Sequence, residues 1–95
     1  MSYGLAAAQG HAGAQNELGI MFDQGQGVAQ DYAEAARLYG LAAAQGHAGA
    51  QHKLGIMFDQ GRGVALDRAE AIRWYRLAAA QGVAEATAAL KRLGL

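Results

Sequence analysis

The chain contains no cysteine and no proline, and serine and threonine occur once each, as Ser2 and Thr87. Without cysteine there is no disulfide framework, no thiolate nucleophile and no thiolate-bound metal, a composition that suits a reducing compartment and leads us to expect a cytoplasmic protein. The only two hydroxyl-bearing aliphatic side chains lie near opposite chain ends, so no Ser/His/Asp constellation can be assembled on a rigid scaffold. Aromatic residues make up 7% of the 95 positions, whereas 53% are hydrophobic, and 24 of those are alanine. Burying alanine excludes less water than burying leucine or phenylalanine, so stability has to come from regular packing. No apolar run approaches the roughly 20 residues of a membrane span, and no basic, apolar leader follows Met1. The length fits one small domain.

Eight basic and eight acidic residues cancel. That balance argues against nucleic acid or an anionic membrane as partner, both of which demand a surplus of Lys and Arg. The charges are unevenly placed, however. Residues 1–47 carry a formal charge of −3, with Arg37 the single base against Glu17, Asp23, Asp31 and Glu34, and the remainder carries +3.

Self-comparison at an offset of 36 organises the chain. Residues 3–38 and 39–74 agree at 29 of 36 positions, and YGLAAAQGHAGAQ, LGIMFDQG and GVA recur unchanged. A third copy opens at Tyr75 and departs from the pattern after Leu90. Each period reads as two helices. Ala14, Leu18, Met21 and Phe22 fall on one stripe at about 100° per residue, and Gly25 and Gly27 then supply the positive φ that stops the helix and turns the chain. Val28 plugs the turn into the core. Asp31 is placed to cap the second helix, with Glu34 three residues on as the other half of a capping box, and Asp67 and Glu70 repeat the arrangement. On that second helix, Ala71, Ile72, Trp74, Tyr75, Leu77, Ala78 and Ala79 share a broad apolar face. The expected fold is therefore all-α, an αα-superhelix (solenoid) of antiparallel helix pairs with about two and a half 36-residue repeats. Residues 1–95 form a single domain: 1–10 a partial second helix, 11–46 repeat one, 47–82 repeat two and 83–95 a C-terminal capping helix.

The pattern Ala14, Leu18-Gly19, Phe22, Gly25-x-Gly27-Val28, Asp31, Ala35, Tyr39, Ala42 and Gly46 resembles the Sel-1-like repeat, a relative of the tetratricopeptide repeat. It returns at Ala50, Leu54-Gly55, Phe58, Gly61-x-Gly63-Val64, Asp67, Ala71, Trp74-Tyr75, Ala78 and Gly82. Ala29 and Ala65 stand where the family often has proline, and the cysteine pairs of its cysteine-rich members are absent. The resemblance implies a non-catalytic scaffold that holds a protein or peptide partner. The alternative is a structural module that assembles with itself.

Several residues invite chemical readings. His11 and His47 open successive repeats, but their neighbours are alanine and glycine, so they read as helix-entry imidazoles facing solvent or a carbonyl. His52, at the register of Asn16, reads as a surface residue. No metal and no cofactor is expected. The Gly-x-Gly-Val segments lack the preceding strand and following lysine of a phosphate loop and read as turns. Asn16, Ile20 and Asp23 lie together on the first helix, away from its core stripe, and His52, Ile56 and Asp59 repeat them. In solenoids of this kind the first helices line the concave surface. These six residues are the candidate partner-binding groove, and the plainer reading of the two isoleucines is packing against the next repeat.

Self-association has its own candidates. Tyr3 and Leu5 are apolar on a helix too short to be stable alone. Gly40, with Ala36 and Ala44, forms a small-residue ridge that leaves room for a second helix to approach closely. Together with the oppositely charged halves, these features suggest a homo-oligomer. Lys91 and Arg92, where Gly55 and Ile56 stand one repeat earlier, read as a solvating cap.

Overall fold

The computed structural model describes residues 2–95. Six helices follow one another: α1 (Tyr3–Ala8), α2 (Ala12–Gln24), α3 (Tyr32–Ala44), α4 (Ala48–Gln60), α5 (Arg68–Ala80) and α6 (Ala84–Arg92), with no strand among the described residues. Each helix packs on the next, so the molecule is drawn out to 41 × 23 × 17 Å. This is the expected all-α solenoid.

The turns follow from local chemistry. Gly25 and Gly61 end α2 and α4 in the left-handed conformation, at φ 69° and 64°, which an L side chain adopts only at a cost. The Oδ1 atoms of Asp31 and Asp67 accept the amide hydrogens of Glu34 and Glu70 at 3.0 and 3.1 Å, capping α3 and α5. The reciprocal half of the capping box does not form. The Asp31 amide donates instead to Phe22 O at 2.9 Å. Glu34 turns outward to Arg37, as Glu70 turns to Arg73 at 2.9 Å. A guanidinium one turn along the helix outcompetes a neutral amide for a carboxylate.

His47 caps α4 through its ring, with Nδ1 accepting the Ala50 amide at 3.0 Å, while His11 makes no such bond on α2. The inner helices meet through small residues: Ala35, Ala42, Ala50, Ala71, Ala78 and Ala86 are fully buried. Tyr39, Met57 and Tyr75 are the largest side chains enclosed. Leu77 leaves the apolar face assigned to it and is 41% exposed. Val64, at the register of Val28 one repeat later, packs against the core from its turn.

The two repeats also meet through the turn after α4. A β-carbon on Gly63 would come within 2.2 Å of the Tyr32 carbonyl oxygen, and Arg62 lies over the Tyr32 ring at 4.9 Å. Only glycine allows that backbone approach.

Candidate functional site

The stripe on α2 and α4 is built on a repeated lock between a tyrosine and an aspartate. Tyr39 of α3 lays its ring on Gly19 and donates its hydroxyl to Asp23 Oδ2 at 3.0 Å. Tyr75 of α5 does the same on Gly55 and donates to Asp59 Oδ2 at 3.1 Å. Burial, reinforced by the neighbouring aspartate, pushes both phenols up, Tyr75 to about 12 and Tyr39 further. The two aspartates therefore hold the frame.

The second repeat tightens this arrangement. Arg92 of α6 reaches Asp59 at 3.2 Å and Arg68 at the start of α5 reaches it at 3.5 Å, leaving the Asp59 side chain 7% exposed. Asp23 remains half-buried and, among the described residues, has no basic nitrogen within 4.0 Å.

The remaining stripe positions differ between the copies. Ile20 and Ile56 are half-buried, each against a different core cluster. Asn16 is buried, and its Oδ1 has no hydrogen-bond donor. His52 departs from the surface position read from the sequence: it is half-buried, its ring 6.2 Å from that of Tyr75. Burial first, and Lys53 second, hold its pKa below the ordinary histidine value, with Glu85 opposing them. Glu17, exposed on α2, is replaced by Lys53 on α4, which reverses the charge on one flank of the stripe.

The other candidate residues sit on the second helices. Tyr3 and Leu5 are exposed by 52% and 54%. Ala36 is buried, Gly40 has open space where a β-carbon would stand, and Ala44 is exposed. Ala36 and Gly40 line a groove of about 360 Å³ whose opposite wall includes Trp74 and Phe58 of the next repeat. At Ala36 and Gly40 the ridge thus faces a helix of its own chain, while Ala44 stays exposed. The Trp74 indole nitrogen is buried there without a partner in good geometry, Glu70 being committed to Arg73.

Sequence reasoning missed a glutamine ladder. Gln15 Nε2 donates to Ala7 O at 3.3 Å and Gln51 Nε2 to Ala43 O at 3.4 Å, both buried. Their Oε1 atoms accept from Gln45 at 2.7 Å and Gln81 at 2.9 Å. The available signal was the recurrence of glutamine at unchanged registers of the repeat. Among the described residues no three His, Asp or Glu side chains gather as a metal site, and no helix is long and apolar enough to cross a membrane.

Comparison with known proteins agrees with this geometry. The Sel1 repeat family model matches residues 12–47 and 48–83. No curated protein matches the chain. Among solved structures it is similar to a Sel1 repeat protein from Oxalobacter formigenes, at 40% identity and a TM-score of 0.93 over 95% of this chain and 68% of that one. It is also similar to a protective antigen present in uropathogenic Escherichia coli strains, at 46% identity and a TM-score of 0.82 over 84% of this chain, which spans 17% of the antigen. Helicobacter pylori cysteine rich protein B, at 22% identity, shares the fold with a TM-score of 0.85 over 90% of this chain and 65% of its own.

Proposed function

The chain belongs to the Sel1 repeat family, and from that premise we propose that it is a non-catalytic interaction module that holds a protein or peptide along its first helices. One observation carries this reading. The polar side chains shared by both repeats build the frame, through the tyrosine–aspartate locks, the glutamine ladder and the aspartate caps. One flank of the first helices instead changes sign on one backbone, exposed Glu17 against half-buried Lys53. A scaffold that fixes its backbone and varies its surface suits recognition of an extended chain. Such a protein has no need of a nucleophile, metal or cofactor, and a cytoplasmic location fits the lack of cysteine.

The test is selection of displayed peptides on the immobilised domain, followed by alanine substitution at Ile20, Glu17 and Lys53. Binders that lose affinity at these positions support the reading. Binders indifferent to all three overturn the assignment of the site to the first helices.

A second reading rests on Tyr3 and Leu5, whose exposure gives α1 an apolar face. A two-fold contact between α1 helices would cover it. Continuation of the solenoid through α6 is disfavoured, because Lys91 stands at the register of Gly55, where a β-carbon already comes within 2.7 Å of the tyrosine ring. Light scattering on a dilution series tests the second reading: a monomer at every concentration overturns it.

A further inference from the structure

The two repeats differ in how they use the same carboxylate. In repeat two, Asp59 accepts the Tyr75 hydroxyl, the Arg92 guanidinium at 3.2 Å and the Arg68 guanidinium at 3.5 Å. In repeat one, among the described residues, the Asp23 carboxylate accepts only the matching hydroxyl, from Tyr39, while the Asp23 backbone carbonyl takes the Gln30 side-chain amide at 2.8 Å. The residues at the two arginine registers are Tyr32 and Ile56, neither of which offers a cation. Asp23 stays half-buried, with Oδ1 and the remaining lone pair of Oδ2 uncommitted by any side chain among the described residues.

We propose that Asp23 is a receptor for an arginine side chain of a protein partner, the open copy of a guanidinium site that the second repeat fills with its own Arg92. The chemistry is demonstrated within the chain: the same carboxylate, held by the same tyrosine, takes a guanidinium from a neighbouring helix. A planar guanidinium offers two parallel N–H donors to a carboxylate, so arginine suits the site better than lysine. Ile20, one turn before Asp23 and half-buried, offers an apolar surface to the methylene stem. Glu17 lies exposed on the same helix and adds negative potential that draws a cation in. This inference rests on the interaction reading given above and names the chemistry its partner brings.

The test is a nuclear magnetic resonance titration of the whole chain with N-acetylarginine amide, and in parallel with the uncharged N-acetylcitrulline amide. The expected result is saturable shifts at Asp23, Ile20 and the Tyr39 ring, weaker for citrulline by about tenfold or more. Asp23→Asn keeps an acceptor for the Tyr39 hydroxyl and removes the charge, so the fold remains and the shifts disappear. Ile56→Arg gives repeat one the arginine that repeat two has, and it suppresses the titration by filling the site internally. Equal responses to arginine and citrulline, or shifts that survive Asp23→Asn, overturn the proposal.

The broader reading fails separately. Selected peptides that bind the first helices without any basic residue overturn the Asp23 site and leave the interaction module standing. Saturable arginine binding at Asp23 with no peptide selected supports the site and counts against the module.

Discussion

The ring of Tyr75 rests on the bare backbone of Gly55, so closely that a β-carbon there would stand 2.7 Å from Cδ1. The contact repeats between Tyr39 and Gly19, at 2.8 Å. Gly40, also mid-helix, has nothing within 4 Å of the same imagined atom. Opposite outcomes follow for one substitution. Gly55→Ala forces the enclosed ring away and destabilises the fold by about 1–3 kcal/mol. Gly40→Ala adds helix propensity without a clash and stabilises by about 0.5–1 kcal/mol. Urea unfolding of the two variants measures both.

Alkaline pH should loosen the locks. Tyr75 has its folded pKa raised to about 12 from an unfolded value near 10, chiefly by burial and then by Asp59, and Tyr39 is raised further. A raised folded pKa means that the unfolded chain gives up its proton first. The contribution is therefore complete below pH 10 and is lost as pH climbs from there through 12. Unfolding midpoints across this range should fall steadily, and a Tyr39→Phe, Tyr75→Phe double variant should show a flatter dependence. At neutral pH that variant loses about 1.5–3 kcal/mol per hydroxyl-to-carboxylate bond.

Much of the fold was legible because its signals are local. The offset of 36, the glycines at positive φ and the Asp31 and Asp67 caps each depend on a few consecutive residues. What escaped depends on three-dimensional pairing. Tyr39 and Asp23 are 16 residues apart and Gln45 and Gln15 are 30 apart, so their meeting is set by how helices stack. Glu34 was assigned to its cap because spacing allows it, and only the competing position of Arg37 removes it. The candidate first-helix residues share one helical stripe, yet the stripe pattern does not reveal that Arg92 closes over Asp59 while Asp23 has no such partner.

Acid should weaken the second repeat through His52. Packed near Tyr75, this imidazole has its pKa lowered, by burial first and by the Lys53 charge second, against the opposing charge of Glu85. A lowered folded pKa means that the unfolded chain takes up the proton first, so stability is complete above the unfolded value near 6.5 and declines as pH falls through the folded one. His52→Asn, which restores the residue found at the register of Asn16, should remove that part of the decline in thermal melts between pH 7 and 5.

The glutamine ladder should behave as a structural joint between repeats. Gln51→Ala removes one donor to the Ala43 carbonyl, which keeps the Gly46 amide, and one acceptor of the Gln81 amide, which keeps the Gly46 carbonyl, so each lost bond costs about 0.5–1.5 kcal/mol. Thr87 holds the same register on α6 and is exposed, so Thr87→Ala should change stability by no more than about 0.5 kcal/mol. Chemical denaturation of the pair separates a buried joint from a surface position.

Ile56 decides how far the first-helix stripe can serve a partner. It is half-buried against the cluster that encloses Tyr75 and Ala86. A fully buried isoleucine costs about 2–5 kcal/mol when cut to alanine. Ile56, part of whose surface still meets water, should cost less, near the lower end of that range. Ile20, against the cluster of Tyr39 and Ala50, should match it. A loss at the upper end for either residue would show a side chain wholly committed to the core, leaving the stripe polar at that position. A modest loss, with weaker capture of selected peptides, would show that the same methyl groups both join repeats and meet the partner.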